Sequence, residues 1–67
     1  MLGENIKNAR KIKGFTAQHM ADVLEIDISS YRKYESNHRL PPITTLIKIA
    51  DYFDVSLDDL VGRNKND

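Results

Sequence analysis

The chain has 67 residues, 40% of them hydrophobic, no cysteine, and ten basic residues that balance ten acidic ones. This length allows one small domain, and the composition excludes disulfides, a cysteine-ligated zinc and a polybasic, histone-like protein. A basic face remains possible. No apolar run reaches the ~18 residues of a membrane span, and the first residues lack the features of a signal peptide. We therefore expect a soluble cytoplasmic domain that is not an enzyme.

The first half of the chain predicts three helices. Apolar and small residues at helical spacing predict a helix over residues 2–13, which Gly14 ends in a left-handed conformation. Thr16 and Asp27 are good N-caps and predict the starts of a second and a third helix. Residues 25–27 alone separate these two helices, which is the length of a tight helix-turn-helix connection.

The second half begins at the strongest break in the chain, residues 40–42, where two prolines disfavour helix. An apolar stripe then predicts a fourth helix over residues 43–53. Ser56 opens a short fifth helix that Gly62 ends. No segment alternates with period two, so the predicted fold class is all-α, with five short helices and no sheet. Residues 63–67 form a polar tail that we expect to fray.

The zero net charge hides an uneven distribution. Residues 1–39 carry seven basic and five acidic side chains, whereas residues 40–67 carry three and five. The exposed side of the third helix adds serines and two cations to the basic half, and such groups can reach base edges in a major groove. On an isolated helix, Arg32 and Lys33 would be interpreted as surface charges that only make the protein soluble. On the second helix of a tightly joined pair they favour DNA recognition.

Several stretches carry a family resemblance. Residues 14–24 (GFTAQHMADVL) and 27–35 (DISSYRKYE) have the pattern of an opening helix and a recognition helix, and residues 41–50 and 55–60 are also typical. Because of these stretches, the chain from residue 2 to residue 62 resembles the helix-turn-helix domain of the Cro/C1-type phage repressor family, also called the XRE family. The resemblance implies a lambda-repressor-like fold with its helix-turn-helix over about residues 17–36.

The resemblance also implies a role for individual residues. Base reading in the major groove, or contact with the flanking phosphates, would fall to Ile28, Ser29, Arg32 and Lys33. The DNA backbone would be held by Ala17, Gln18, Asn37, His38 and Arg39. An ion pair tying the first helix to the end of the third would join Arg10 and Glu35.

Five positions depart from the family pattern. Glu25 stands where the family usually has glycine, so this residue either avoids positive φ or is strained by roughly 1 kcal/mol. Asn37 replaces another glycine, a milder change because asparagine tolerates the left-handed region. Tyr31 needs a partner for its hydroxyl. Ala17 stands where the family commonly has glutamine, so one side-chain contact with DNA is missing. Ile28 cannot form a hydrogen bond with a base and could touch only a thymine methyl.

The predicted function is a sequence-specific regulator of transcription, a repressor, that binds a double-stranded DNA operator as a homodimer. One module of this size contacts few bases, so two half-sites are expected to supply discrimination. The predicted dimer interface lies on the fifth helix, which carries more apolar surface than so short an element can hide: Leu57, Leu60 and Val61. The other interpretation of these three residues is that they cap the core of the monomer.

Two alternatives remain open from the sequence. The same fold could serve as a protein-interaction module, such as an antitoxin or anti-repressor component, or as one domain of a larger regulator. No catalytic, cofactor or small-molecule site is indicated. His19 and His38 lie on different elements without a metal-binding motif, and the adjacent Asp58 and Asp59 suit a helix N-terminus rather than acid–base chemistry.

Overall fold

The structure, a computed structural model, describes residues 2–62, and in this range it contains five α-helices and no β-strand. The predicted fold class and order of elements are thereby confirmed. The predicted tail, residues 63–67, lies outside the described residues. No helix between residues 2 and 62 is long and apolar enough to cross a membrane. The helices are α1 (Leu2–Lys13), α2 (Ala17–Leu24), α3 (Ile28–Glu35), α4 (Ile43–Phe53) and α5 (Leu57–Val61).

Short polar side chains begin three of the helices, as predicted. Thr16 Oγ1 accepts the backbone N–H of His19 at 3.0 Å and caps α2, and Asp27 Oδ2 accepts that of Ser30 at 3.1 Å and caps α3. Ser56 caps α5 in the same way. Each hydroxyl or carboxylate oxygen satisfies an N–H group that has no carbonyl partner in the first turn.

Residues in the left-handed conformation end several helices. Gly14 has φ 79° after α1, as expected. Glu25 ends α2 at φ 58°, so the strained alternative for this turn residue is the one the chain adopts, at a cost of roughly 1 kcal/mol. Asn37 has φ 65°, as its tolerance for this region suggested. Asp54, at φ 58°, ends α4 by the same geometry.

The core lies where all five helices meet. In the packing, α3 lies against α1 and α2, while α4 and α5 pack against α1 and each other. Burial of this apolar surface supplies most of the stabilisation of such a small domain. The largest fully buried side chains come from every helix: Ile6, Met20, Tyr31, Ile49, Phe53 and Leu60.

The start of α1 approaches the end of α3 unusually closely at Gly3. Its N–H donates to Asn37 Oδ1 at 2.9 Å. A Cβ atom added to Gly3 would lie 2.4 Å from the carbonyl oxygen of Glu35 and 2.7 Å from that of Tyr34. Because backbone oxygens cannot swing aside as a flexible side chain can, only glycine fits between the two helices here.

Candidate nucleic-acid interface

The outer face of α3 presents a small set of polar side chains. Tyr31 and Tyr34 are buried and fix the inner face of the helix in the core. Ser29, Arg32 and Lys33 are exposed on the other side. The buried tyrosines therefore determine which way these three side chains face.

Ile28 differs from the other residues predicted to read bases. It is half-buried and packs against the hydrophobic core. The sequence placed Ile28 on the exposed side of α3 with Ser29, Arg32 and Lys33, and its contact with a thymine methyl stays a prediction. Ile28 lies at the edge of that face, because its side chain in the first turn of α3 also packs against the core.

The two helix N-termini of the motif differ in charge. Asp27 caps α3, and hydrogen bonds from the hydroxyl and the N–H of Ser30 hold its pKa below the ordinary value. A negative charge thus already occupies the start of α3, which disfavours a phosphate there. Thr16, which caps α2, is neutral, and the first turn of α2 contains no acidic residue. Of the two N-termini, that of α2 is therefore the one where the helix dipole and the free N–H groups favour a negative group.

An ion pair joins α1 to the last residue of α3. Arg10 Nε donates to Glu35 Oε2 at 2.7 Å and Nη2 donates to Oε1 at 3.2 Å, while the two side chains are only 12% and 9% exposed. Arg10 Nη1 also donates to the carbonyl of Phe15 at 2.8 Å. The hydrogen bond with Glu35 raises the pKa of Arg10 further above its already high value. The two residues that the family resemblance joined are thus in direct contact.

The hydroxyl of Tyr31 has the partner that the sequence required. It donates to Glu35 Oε2, so the carboxylate is held from two sides. Burial, followed by this hydrogen bond, strongly raises the pKa of Tyr31. A buried hydroxyl with a charged acceptor is a stabilising arrangement. Sequence reasoning did not find this contact, although Tyr31 and Glu35 are four residues apart on one helix.

Several residues expected to hold the DNA backbone make contacts within the chain. Ala17 is half-buried and packs against the core. Gln18 Nε2 donates to Asp22 Oδ1 at 3.0 Å. The side-chain oxygen of Asn37 accepts from Gly3. His38 Nδ1 lies 2.7 Å from Ser36 Oγ, and Arg39 is exposed.

A groove of about 310 Å³ runs between α1, the start of α2 and α3. It brings three cationic side chains and one carboxylate together. Sequence reasoning missed Lys7, although its position three residues before Arg10 places both on one face of α1. The lining residues are Lys7, Arg10, Ala17, Arg32, Glu35 and Ser36.

The residues predicted to form a dimer interface are not equally available. Leu60 is 1% exposed and belongs to the chain's own core, so this part of the prediction is corrected. Leu57 is half-buried against the same core, and Val61 is exposed. The short helix α5 hides more of its apolar surface than expected because α1 and α4 both pack against it.

Two short helices joined by three residues, the second with an exposed polar face, define a helix-turn-helix domain. A family profile described as a helix-turn-helix domain matches residues 3–65, and the chain belongs to this family.

The relatives agree with the predicted resemblance to phage repressors, which is thereby confirmed. The chain is 45% identical over 60 residues to the cryptic phage CTXphi transcriptional repressor RstR of Vibrio cholerae, covering 90% of this chain and 54% of that protein. It is 45% identical over 67 residues to the uncharacterized HTH-type transcriptional regulator YqaE of Bacillus subtilis, covering 100% of this chain and 58% of that protein. The chain thus spans about half the length of these curated relatives.

Two solved structures share the fold. A transcriptional regulator from Listeria innocua superimposes with a TM-score of 0.88 at 31% identity, covering 97% of this chain and 61% of that one. SinR, a master regulator for biofilm formation solved in complex with DNA, superimposes with a TM-score of 0.81 at 32% identity, covering 91% of this chain and 98% of that one.

Proposed function

We propose that the chain is a sequence-specific DNA-binding module of a transcriptional repressor, which acts in the cytoplasm and reads the major groove with α3. The observation that carries this proposal is the exposed polar face of α3, held in place by two buried tyrosines. Ser29, Arg32 and Lys33 supply the donors and acceptors that base edges require. The DNA complex of SinR and the repressor named among the relatives support the same function.

Lys33→Ala tests whether α3 is the recognition helix. We expect this variant to lose about 1–3 kcal/mol of specific binding, roughly 5–150-fold in affinity, with an unchanged melting temperature because Lys33 is exposed. Affinity is measured by fluorescence anisotropy on a duplex selected from random double-stranded DNA. Arg39→Ala, which removes the proposed contact with the DNA backbone, should instead weaken binding to all DNA sequences alike. It should also lower the salt slope, the slope of the logarithm of the binding constant against the logarithm of the salt concentration, by about one.

Lys48→Ala is the matched control, because Lys48 is an exposed lysine on α4 rather than on the motif. It should bind the selected duplex like the parent protein. The assignment of α3 as the recognition helix is wrong if selection from random DNA enriches no sequence, or if Lys33→Ala binds the selected duplex as tightly as Lys48→Ala does. A protein-interaction module would give the first of these results.

We further propose that the chain works as a homodimer on a two-fold operator. A two-fold axis uses one surface patch twice, and the exposed Val61 with the half-buried Leu57 beside it on α5 forms the proposed patch. This surface lies in the acidic half of the chain, which DNA repels. Since the patch is small, we expect weak self-association that tightens when two half-sites hold the protomers together.

Sedimentation of Val61→Asp against the parent protein, free and with operator, tests this interface. A buried aspartate without a partner should weaken self-association and the cooperative binding of two protomers. The control is Ile47→Asp, because Ile47 on α4 is 42% exposed, as Val61 is. If only Ile47→Asp weakens association, the interface lies on the exposed apolar residues around the start of α4 and the α5 proposal is wrong.

A further inference from the structure

We infer that a second copy of this chain docks in the groove between α2 and α4, and that the exposed Ile12 at the end of α1 is the residue it inserts there. This contact joins two different surfaces of the chain. It is therefore separate from the two-fold interface proposed on α5.

The α2–α4 groove is largely apolar. Leu24 is 8% exposed there, and Val23 beside it is half-buried. The side chain of Tyr52 is held in place, because its hydroxyl lies 2.7 Å from His19 Nε2 and its ring centroid lies 5.2 Å from that of Phe15. A site whose walls are already in place loses less conformational freedom when it binds. The groove has a volume of about 380 Å³, and its lining residues are Val23, Leu24, Lys48, Asp51 and Tyr52.

The surroundings of the α2–α4 groove carry an excess of negative charge. Asp51 lines the groove, and two further exposed carboxylates, Asp22 and Glu25, flank the α2 residues that line it. Among residues 2–62 none of these three carboxylates has a basic group within 4.0 Å. The C-terminal end of α2 adds partial negative charge, and Lys48 is the single cation among the lining residues. The groove therefore favours an apolar group that is accompanied by positive charge.

The end of α1 offers this combination. Ile12 is 83% exposed, more than any other large hydrophobic side chain between residues 2 and 62. Lys11 and Lys13 stand on either side of it in the sequence, and both are exposed. In the described part of the chain neither lysine has a carboxylate within 4.0 Å, so both can pair with a partner. Burial of Ile12 would remove a large apolar side chain from water, which is the main favourable term in association.

The two surfaces can meet between copies of the chain. Within one copy Ile12 stands exposed while the α2–α4 groove stays open, so they do not fill each other. A contact between two different surfaces is heterologous and joins copies head to tail. Because the area is small, we expect a weak contact. DNA that carries two adjacent sites would strengthen it by holding two copies close together, and this last consequence alone rests on the proposed function.

The test follows the groove by NMR in a protein that lacks the docking residue. Isotope-labelled Ile12→Glu protein keeps its groove, and unlabelled parent protein is added to it. We expect saturable shifts of the amide signals of Val23, Leu24 and Tyr52. Unlabelled Ile12→Glu protein should bind this groove roughly 10–150-fold more weakly, the factor expected for one buried apolar side chain. Ile12 is exposed, so the melting curve of the variant should match that of the parent.

A charge exchange tests the electrostatic part of the contact. When the labelled protein also carries Asp51→Lys, the parent should dock a few-fold more weakly. Unlabelled protein with Lys11→Glu and Lys13→Glu should show the opposite preference and favour the Asp51→Lys groove. The matched control for Ile12→Glu is unlabelled Ile43→Glu protein, because Ile43 is also an exposed isoleucine, at 62%, and lies outside both surfaces. It should dock as the parent does.

The titrations contain no DNA, so their result is independent of the proposed function. The inference is overturned if the parent and Ile12→Glu proteins shift the groove signals equally. It is also overturned if the shifts fall on α5 alone, where they would report the two-fold interface. If Ile43→Glu abolishes the shifts and Ile12→Glu does not, the docking residue lies at the start of α4 and the assignment of Ile12 is wrong.

Discussion

Arg10→Met is expected to lower the free energy of unfolding by about 2–4 kcal/mol. Glu35 is 9% exposed and would keep its negative charge in a poorly solvated place, with the hydroxyl of Tyr31 as the donor that remains. The carbonyl of Phe15 would also lose the hydrogen bond from Arg10. The loss should therefore exceed that of an exposed ion pair, for which about 0–1 kcal/mol is usual.

The double variant Arg10→Met/Glu35→Leu separates the pair from its neighbours. Removing both charges ends the desolvation penalty, so the double variant should recover much of the stability that the single variant loses. Urea unfolding of the parent, both single variants and the double variant gives the interaction free energy. Lys11→Met, at an exposed position of the same helix, controls for the change to methionine. Additive losses would show that the two residues do not interact.

The ion pair also has a consequence for the interface. Arg10 on α1 and Glu35 at the end of α3 lie among the lining residues of the groove. By fixing α1 against α3, the pair fixes the relative positions of Lys7 and Arg32. A site whose walls are already in place loses less conformational freedom when it binds. The pair is thus expected to support the proposed DNA binding as well as stability.

The helices could be predicted from local signals. Thr16, Asp27 and Ser56 each cap a helix through an oxygen three residues before the N–H it accepts, so the sequence itself marks the starts. Gly14 and Gly62 mark two of the ends, because glycine adopts positive φ without strain. The family resemblance contributed the pairing of α1 with α3, which no local signal contains.

The orientation of single side chains could not be predicted as well. Ile28 and Leu60 were both assigned to exposed surfaces, yet Ile28 packs against the core and Leu60 is buried in it. A helix of five to eight residues has few apolar positions, so its pattern leaves its rotation about the axis uncertain. The packing of neighbouring helices decides it. The groove residue Lys7 was missed for a related reason, since its importance depends on contacts with distant parts of the chain.

Gly3→Ala is the second change from which we expect a large effect. Helix propensity alone predicts a gain of about 0.5–1 kcal/mol, because alanine is the better helix former. The structure predicts the opposite sign. The added Cβ would lie 2.4 Å from the carbonyl oxygen of Glu35 and 2.8 Å from Asn37 Oδ1, so α1 must move away from α3. Such overpacking costs about 1–3 kcal/mol, and we expect the upper part of that range because backbone atoms are involved.

Gly14→Ala provides the matched control, since a Cβ added there meets no atom within 4 Å. Its cost comes from placing alanine at φ 79°, about 1–2 kcal/mol. Thermal and urea unfolding of both variants separate a clash between helices from local backbone strain. A shift of α1 also moves Arg10 relative to Glu35, so Gly3→Ala should shrink the interaction free energy of that pair, whereas Gly14→Ala should not. A higher melting temperature for Gly3→Ala would show that α1 and α3 do not approach as closely as described.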